Sequence, residues 1–462
     1  MFTLMVVVFV LGYAAIALEH PLKIDKAASA LLIGVITWVL YVFGGVDILS
    51  TGVSRAWNEY VAINPDADSH QGMLDFITHH EVLHHLSEIS AILFFLLGAM
   101  TIVEIIDQHQ GFKIITDKIK TTNRIKLLWV LSILTFFMSA ALDNLTTTIV
   151  MVALIRKLIS AKENRWFFAS MVVLAANAGG AWSPIGDVTT IMLWIGGQVT
   201  TLKIISGVFL PSLFTMIVPL IIVSFWMKGN VKRPTSSNEN EKEFTTAKER
   251  AFILTLGISS LLFVPVFKTV THLPPYMGML FGLGVMWMVT EIMHKNKTHE
   301  NKKKLTVVGI LNKVDVPTVL FFLGILSAVS SLQSAGHLDI LARYMDENIH
   351  NIYIINLIIG LLSSVVDNVP LVAGAMGMYS IESAGAVGYL SNFVQDGLFW
   401  EFLAYCAGTG GSILIIGSAA GVAAMGMEKI DFIWYLKKIS LLALAGYLAG
   451  AGVYYLEAVL LH

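Results

Sequence analysis

The sequence predicts an all-α polytopic membrane protein built from two inverted repeats. Three observations carry that expectation. Apolar runs near 20 residues recur from one end of the chain to the other, and a helix of about that length spans a bilayer. Two of the runs are interrupted deep inside by an Asp-Asn pair, Asp143-Asn144 and Asp367-Asn368. The interrupted runs, and the Gly-rich tracts that follow them, match one another in the same order along the chain.

Composition supports the membrane class. The 462 residues are 56% hydrophobic and only 13% charged, against about 25% charged in a soluble domain. A net charge of −2 implies no general attraction to nucleic acid. Cys406 is the single cysteine, so an intrachain disulfide is impossible and a cysteine-based metal site is not expected. The first segment, 1–18, lacks a basic n-region and an A-x-A cleavage site and reads as a retained helix.

The apolar segments cover roughly 1–18, 28–46, 86–107, 125–158, 166–200, 203–227, 251–270, 276–293, 317–334, 352–384, 398–427 and 431–458. Lys and Arg gather at 23–26, 113–126, 156–165, 228–250 and 295–313, and the positive-inside rule puts all five clusters in the cytoplasm. Segment 125–158 then has basic residues on both flanks. It reads as a re-entrant hairpin that enters from the cytoplasm and returns there, with Asp143-Asn144 at its tip. By the same count 352–384 is a hairpin from the periplasmic side, flanked by Asp339, Asp346, Glu347, Glu382 and Asp396. The N-terminus is expected in the periplasm, and the membrane to be a bacterial inner membrane.

The duplication is legible in the residues. SAALDNLTT (139–147) aligns with SSVVDNVPL (363–371), and GGAWSPIGD (179–187) with GGSILIIGS (410–418). Upstream, Glu88 precedes Phe94-Phe95-Leu96 as Asp315 precedes Phe321-Phe322-Leu323. The expected division is 1–85 for N-terminal helices and a periplasmic loop, then 86–227 for the first repeat. A cytoplasmic linker follows at 228–250, connecting helices and a basic loop at 251–312, and the second repeat at 313–462. Secondary transporters built this way bind their cargo at the repeat interface, between discontinuous helices.

Carboxylates at bilayer depth are expensive and mark candidate sites. Asp143 and Asp367 are the first such candidates, against the plainer reading of carboxylates satisfied by backbone N–H groups. A buried carboxylate holds a proton more readily, so proton and sodium would compete for the same oxygens. Na⁺ is expected at Asp143, Asn144, Asp367 and Asn368, with Thr146, Thr147 and Thr148 adding neutral oxygens of the kind hard cations prefer. Asn177, Asp187, Thr189 and Thr190 lie in the first broken helix; Thr409, Ser412 and Ser418 lie in the second. Ser363 matches Ser139. Ser418 stands opposite Asp187, so the half-sites are not equivalent. No cofactor beyond the transported ion is expected, and the absence of G-x-x-x-x-G-K-[ST] gives ATP-driven pumping no support.

The run THHEVLHHLSE (78–88) contains His80-Glu81-Val82-Leu83-His84, an H-E-x-x-H pattern that zinc proteases use. No clear third ligand accompanies it, and a surface cluster titrating near neutral pH is the expected reading. Glu88, at the start of an apolar span, joins His80 and His84 as an accessory or pH-sensing candidate.

The tracts SAALDNLTTTIVM, AANAGGAWSPIGDVTTIMLW, SSVVDNVPL and GTGGSILIIGSAAGVAAMG resemble the signature regions of NhaD-type sodium/proton antiporters, within the ion transporter superfamily of arsenite and dicarboxylate carriers. The resemblance covers about 86–460. It implies exchange of cytoplasmic Na⁺ or Li⁺ for external protons, a role in pH homeostasis, and a scaffold domain, usually dimeric, beside a moving transport domain. By motif it makes Asp143, Asn144, Thr146, Asn177, Asp187, Thr189, Thr190, Ser363, Asp367 and Asn368 the functional positions. Three alternatives stand beside it: an anion carrier of the same superfamily, an intramembrane zinc protease using His80, Glu81 and His84, and a channel. Carboxylates at both hairpin tips favour a cation over an anion.

Overall fold

The computed structural model describes residues 1–17, 19–116, 118–234, 245–295 and 305–461. It is helical throughout; the extended pairings among the described residues are single bridges, Asn123 with Asn230 and Glu382 with Val394. Eight helices among the described residues are long and apolar enough to cross a membrane. Their outward faces carry large apolar side chains such as Phe43, Phe225 and Val270, each more than 70% exposed. That pattern suits lipid and not water. The protein is a multi-pass membrane protein. The middle of the expected 228–250 linker, 235–244, and the part of the basic loop at 296–304 lie outside the described residues.

The chain forms two compact units. The first comprises Met1–Phe94, Asp315–Ile355 and Val369–Val394. Its axis is the pairing of helix Lys26–Leu49 with Val316–Ser334. They cross where a Cβ on Gly34 would overlap the Gly324 carbonyl and one on Gly324 would overlap Ala30. Close backbone approach through small residues is a membrane packing mode. A core of Tyr41, Ile48, Trp57, Phe76, Ile77 and Leu332 gathers beside it. The sequence starts the third apolar span at residue 86. In the structure the helix already begins at His70 and runs to Gln108 through a π-helical turn at Phe76–Glu81. The His-rich run is thus helix, because Phe76, Ile77 and Glu81 are buried on its inner side.

The second unit comprises Phe95–Val314, Asn356–Asn368 and Gln395–His462. Its centre is helix Lys162–Ala181, in which every residue from Phe167 to Ala181 is buried. Helices Arg124–Leu142 and Asn144–Leu158 pack on it and on each other. These arms are 19 and 15 residues long; the first is long enough to cross a bilayer on length and composition. Both outer ends meet one short segment. Arg124 N donates to Gly229 O (3.1 Å) and Val231 N to Thr122 O (2.8 Å), while Ser160 N donates to Lys232 O (2.9 Å). The last residues of the expected linker are ordered: a Thr246–Glu249 capping box starts helix Ala247–Thr271.

Four helices restart at breaks. Asn144–Leu158 follows Asp143, Val188–Ile195 follows a turn at 182–187, Asn368–Met378 follows 363–367, and Ala419–Glu428 follows 411–418. Contacts at these breaks recur at positions that the two sequence tracts align. Ser139 Oγ donates to Ala176 O (2.6 Å), and its match Ser363 Oγ donates to Ala407 O (2.9 Å). A Cβ on Gly179 would overlap the Phe136 carbonyl; one on its match Gly410 would overlap the Gly360 carbonyl. Asp187 caps Val188–Ile195, and its match Ser418 caps Ala419–Glu428.

Candidate ion-binding site

The polar residues expected to carry the chemistry collect in the second unit, where the restarted helices begin. Asp143 interrupts the first pair of arms with φ +76° and ψ 158°. That region is sparsely populated by residues other than glycine and costs about 1–3 kcal/mol. The strain is offset locally: Asp143 Oδ1 accepts from Thr146 N (2.8 Å) and Oδ2 from Thr146 Oγ1 (2.8 Å). The restart frees backbone N–H groups, and a carboxylate satisfies them. The break turns Asn144 inward, where it is buried.

Asn144 Nδ2 donates to Asp187 Oδ2 (2.5 Å) and to Asn177 Oδ1 (3.1 Å). Asn177, fully buried, donates to Ser412 Oγ and Ser418 Oγ, both at 2.9 Å. Asp187 Oδ1 accepts from the N and Oγ1 of Thr189, both at 2.9 Å. From the other tract, Asn368 Nδ2 stands 3.4 Å from both Asp187 oxygens. Asp143 and Asp367 are near enough to act on the charge of Asp187. Asp187, the position without an acidic match in the other tract, is therefore where the two Asp-Asn tips converge.

Asp187 is buried and Asp143 and Asp367 are half-buried; carboxylates near enough to act on one another repel, and in low dielectric they cannot all be charged without a counter-ion. A bound cation or a shared proton relieves the repulsion. The oxygens have capacity for it: an ionised carboxylate offers about four lone-pair positions, and the hydrogen bonds of Thr146 and the Leu145 backbone leave Asp143 short of that number. The helix starts at Asn144, Val188 and Ala419 add N-terminal dipoles, and the ends at Leu142, Ala181 and Gly410 add C-terminal ones.

Other predicted residues take different places. Ser139 and Ser363 fasten breaks to carbonyls of the neighbouring helices. Thr190 Oγ1 donates to Asp187 O (2.8 Å) and Thr409 Oγ1 to Tyr405 O (2.6 Å), so both hydroxyls are spent on their own chain segments. The hydroxyls of Thr147 and Thr148 are buried with no hydrogen-bond partner among the described residues. Two supports escaped the sequence reading. Ser183 Oγ donates to Ala140 O (2.5 Å), and Tyr435 OH donates to Ser412 O (2.7 Å). The Ser-Pro inside 179–187 pointed at the first; nothing local pointed at Tyr435.

His80, Glu81, His84 and Glu88 belong to the first unit. His80 and His84 are exposed; His84 Nε2 lies 3.5 Å from Glu88 and His80 Nδ1 3.2 Å from Glu81. Glu81 is buried and accepts from Ser334 Oγ (2.5 Å). The residue the pattern did not single out, His85, is the buried one, with Nε2 3.0 Å from Ser334 Oγ. No cluster of three or more His, Cys, Asp or Glu with metal-holding geometry occurs among the described residues.

Comparison with known proteins agrees with this architecture. The citrate transporter (CitMHS) family profile matches residues 3–395. Sodium/proton antiporter 1 of Arabidopsis thaliana is 47% identical over 97% of this chain and 71% of its own length. Sodium/proton antiporter 2 of the same plant is 45% identical over 97% and 98%. The Na⁺/H⁺ antiporter NhaD of Vibrio cholerae is 30% identical over 93% and 86%. These relatives are transporters and not enzymes, and a break-centred polar site inside apolar helices is what a carrier requires. The chain belongs to the citrate transporter (CitMHS) family of membrane carriers, among its NhaD-type antiporters.

Proposed function

We propose that this protein exchanges Na⁺ for protons, and that Asp143, Asp187 and Asp367 bind the two ions competitively. The observation that carries the reading is the convergence of Asn144 and Asn368 on Asp187. It brings both Asp-Asn tips to one buried carboxylate, with Asp143 and Asp367 near enough to act on its charge, so an ion or proton held at Asp187 bears on both tips. Antiport follows from exclusion: when Na⁺ occupies the oxygens, the proton must leave, and the reverse. Naming of the Arabidopsis and Vibrio relatives as sodium/proton antiporters supports the same cargo. Li⁺, equally hard and smaller, is proposed as an alternative cargo, and a homodimer in a lipid bilayer as the working form.

The fold proposed for this exchange is a pair of inverted repeats with re-entrant hairpins, basic loops on the cytoplasmic face and the N-terminus outside. Support comes from the recurrent contacts at Ser139 and Ser363, and from the meeting of Asn123 and Ser160 with the 229–232 segment. Both ends of a re-entrant segment lie on one side of the membrane, and the shared 229–232 partner supports that reading. Exchange of cytoplasmic Na⁺ for external protons, in a bacterial inner membrane, is the direction proposed.

The family description also raises citrate carriage. Carboxylates at both tips and at Asp187 argue against a polyanion there. One experiment tests both. Everted vesicles with an established pH gradient should show dequenching of a pH-sensitive dye on adding NaCl or LiCl, none on adding choline chloride, and no uptake of labelled citrate. Citrate uptake without Na⁺-driven dequenching would reverse the assignment.

A further inference from the structure

A second set of carboxylates in the same unit lies outside the site just described. Glu401, in the first turn of helix Leu398–Gly410, is only 2% exposed. Thr409, beside the break, lies eight residues along that helix, roughly 12 Å away at 1.5 Å per residue. Helix Thr201–Trp226 has Gly207 where the carboxylate sits, and a Cβ there would overlap Glu401 Oε2. Tyr454 OH lies 3.3 Å from Oε2. Oε1 is buried and accepts no hydrogen bond among the described residues; the Lys203 ammonium is 3.6 Å from it. Glu457, on helix Ser440–Leu461, adds another buried oxygen, Oε2, without a hydrogen bond. Glu401, Glu457, Lys203 and Ser206 line one cavity of about 110 Å³, which has room for a few waters.

A carboxylate in a first helical turn is favoured by the helix dipole, but an exposed one serves that purpose as well. Burial in a glycine-made socket, on a cavity that a second carboxylate also lines, costs free energy that capping does not require. The charged groups around the cavity are Glu401, Glu457, the half-exposed Lys203 and, just before the helix, Asp396. The two lining acids outnumber the one lining base; Glu401 Oε1 accepts no hydrogen bond among the described residues beyond its ion pair with Lys203, and Glu457 Oε2 accepts none. A hard monocation matches that set in charge and size.

We propose that this cavity is a second monovalent-cation site, with Glu401 Oε1 and Glu457 Oε2 as ligands and Lys203 as the tethered cation that a free Na⁺ displaces. The proposal rests on the cation-exchange reading only for its cargo, and binding here does not require the Asp site to work.

Infrared difference spectra of the purified full-length protein, taken as Na⁺ replaces choline at constant ionic strength, test it through the carboxylate bands. In a D143N/D187N/D367N variant a Na⁺-dependent carboxylate shift should remain, and adding E401Q should remove it. K203M should lower the half-saturating Na⁺ for that shift by about threefold, as expected for loss of a half-exposed ion pair. A silent triple variant, or a residual shift that E401Q leaves unchanged, overturns the proposal while the Asp site stands. A wild-type signal lost with E401Q alone and indifferent to the three Asp substitutions overturns the Asp site and leaves this one. Should the triple variant fail to fold, E401Q in the otherwise unaltered chain must remove one component of the signal, and K203M must shift that component's midpoint. Absence of both effects overturns the proposal equally.

Discussion

Asn144 donates to Asp187 at 2.5 Å across 43 residues of chain, and this bond ties the tip of the first interrupted helix to the break in the next. A buried hydrogen bond to a charged acceptor contributes about 1.5–3 kcal/mol. Asn144→Leu keeps the volume and removes the donor. It should raise the Na⁺ concentration for half-maximal exchange by about tenfold or more. Asn368→Leu should have a smaller effect, because its amide is 3.4 Å from the same oxygens. Dye dequenching at graded Na⁺ measures both, and a larger loss at Asn368 would contradict the ranking.

Asp143→Asn, Asp187→Asn and Asp367→Asn should each abolish Na⁺-dependent proton movement while the protein still reaches the membrane. Each substitution keeps the shape and removes the carboxylate proposed to carry both proton and cation. Near-normal exchange in all three variants would remove the shared-site mechanism.

Thr147 and Thr148 give a test with two readouts of opposite sign. Their hydroxyls are buried without partners among the described residues. Leaving a buried hydroxyl unpaired is costly, and replacing it by an apolar group of the same shape is neutral or stabilising. Thr147→Val and Thr148→Val should therefore leave thermal stability unchanged or raised. If these oxygens face the ion, the same variants should weaken Na⁺ dependence several-fold. A fall in stability would mean that the hydroxyls are paired structural groups.

The membrane class, the four breaks and most of the polar set were legible because membrane depth makes polar residues conspicuous. Asp143, Asn177 and Asp187 stand out in apolar tracts, and the match of 139–147 with 363–371 aligned Ser139 with Ser363. The centre was harder to read. Symmetry drew attention to the paired carboxylates Asp143 and Asp367, yet the bonds from both tips end on the unpaired Asp187. No local pattern reveals which carboxylate lies where two helix starts meet. The His-rich run, read as a surface cluster, has His80 and His84 exposed while Phe76, Ile77 and Glu81 bury the other side of its π-helical turn, which polarity alone does not disclose. Glu401 was passed over because a single acid near a helix start is ordinary in sequence, and only the socket at Gly207 distinguishes it.

His80→Ala with His84→Ala should shift the pH dependence of exchange at most. Both rings are exposed, and their nearest acids are Glu81 and Glu88 in the same helical run. Maximal exchange should survive, and the purified protein should hold no stoichiometric zinc by metal analysis. Total loss of exchange together with bound zinc would restore the metal reading of His80, Glu81 and His84.

The duplicated breaks make a prediction about packing that needs no transport assay. Gly179 and Gly410 occupy matching positions, and at each a Cβ would overlap a carbonyl, of Phe136 in one tract and of Gly360 in the other. Backbone cannot yield as a side-chain end can, so the added methyl must push the interrupted helix away from its partner. Overpacking of this kind costs typically about 1–3 kcal/mol. Gly179→Ala should also displace Ser139 from Ala176 O, and Gly410→Ala should displace Ser363 from Ala407 O, since those bonds cross the same contacts. Both variants should lose thermal stability in detergent by comparable amounts. Gly374→Ala, where a Cβ meets nothing within 4 Å, should be neutral or slightly stabilising, because alanine restricts the unfolded chain. Equal melting temperatures for Gly179→Ala, Gly410→Ala and Gly374→Ala would show that the two breaks are not held by close backbone contact.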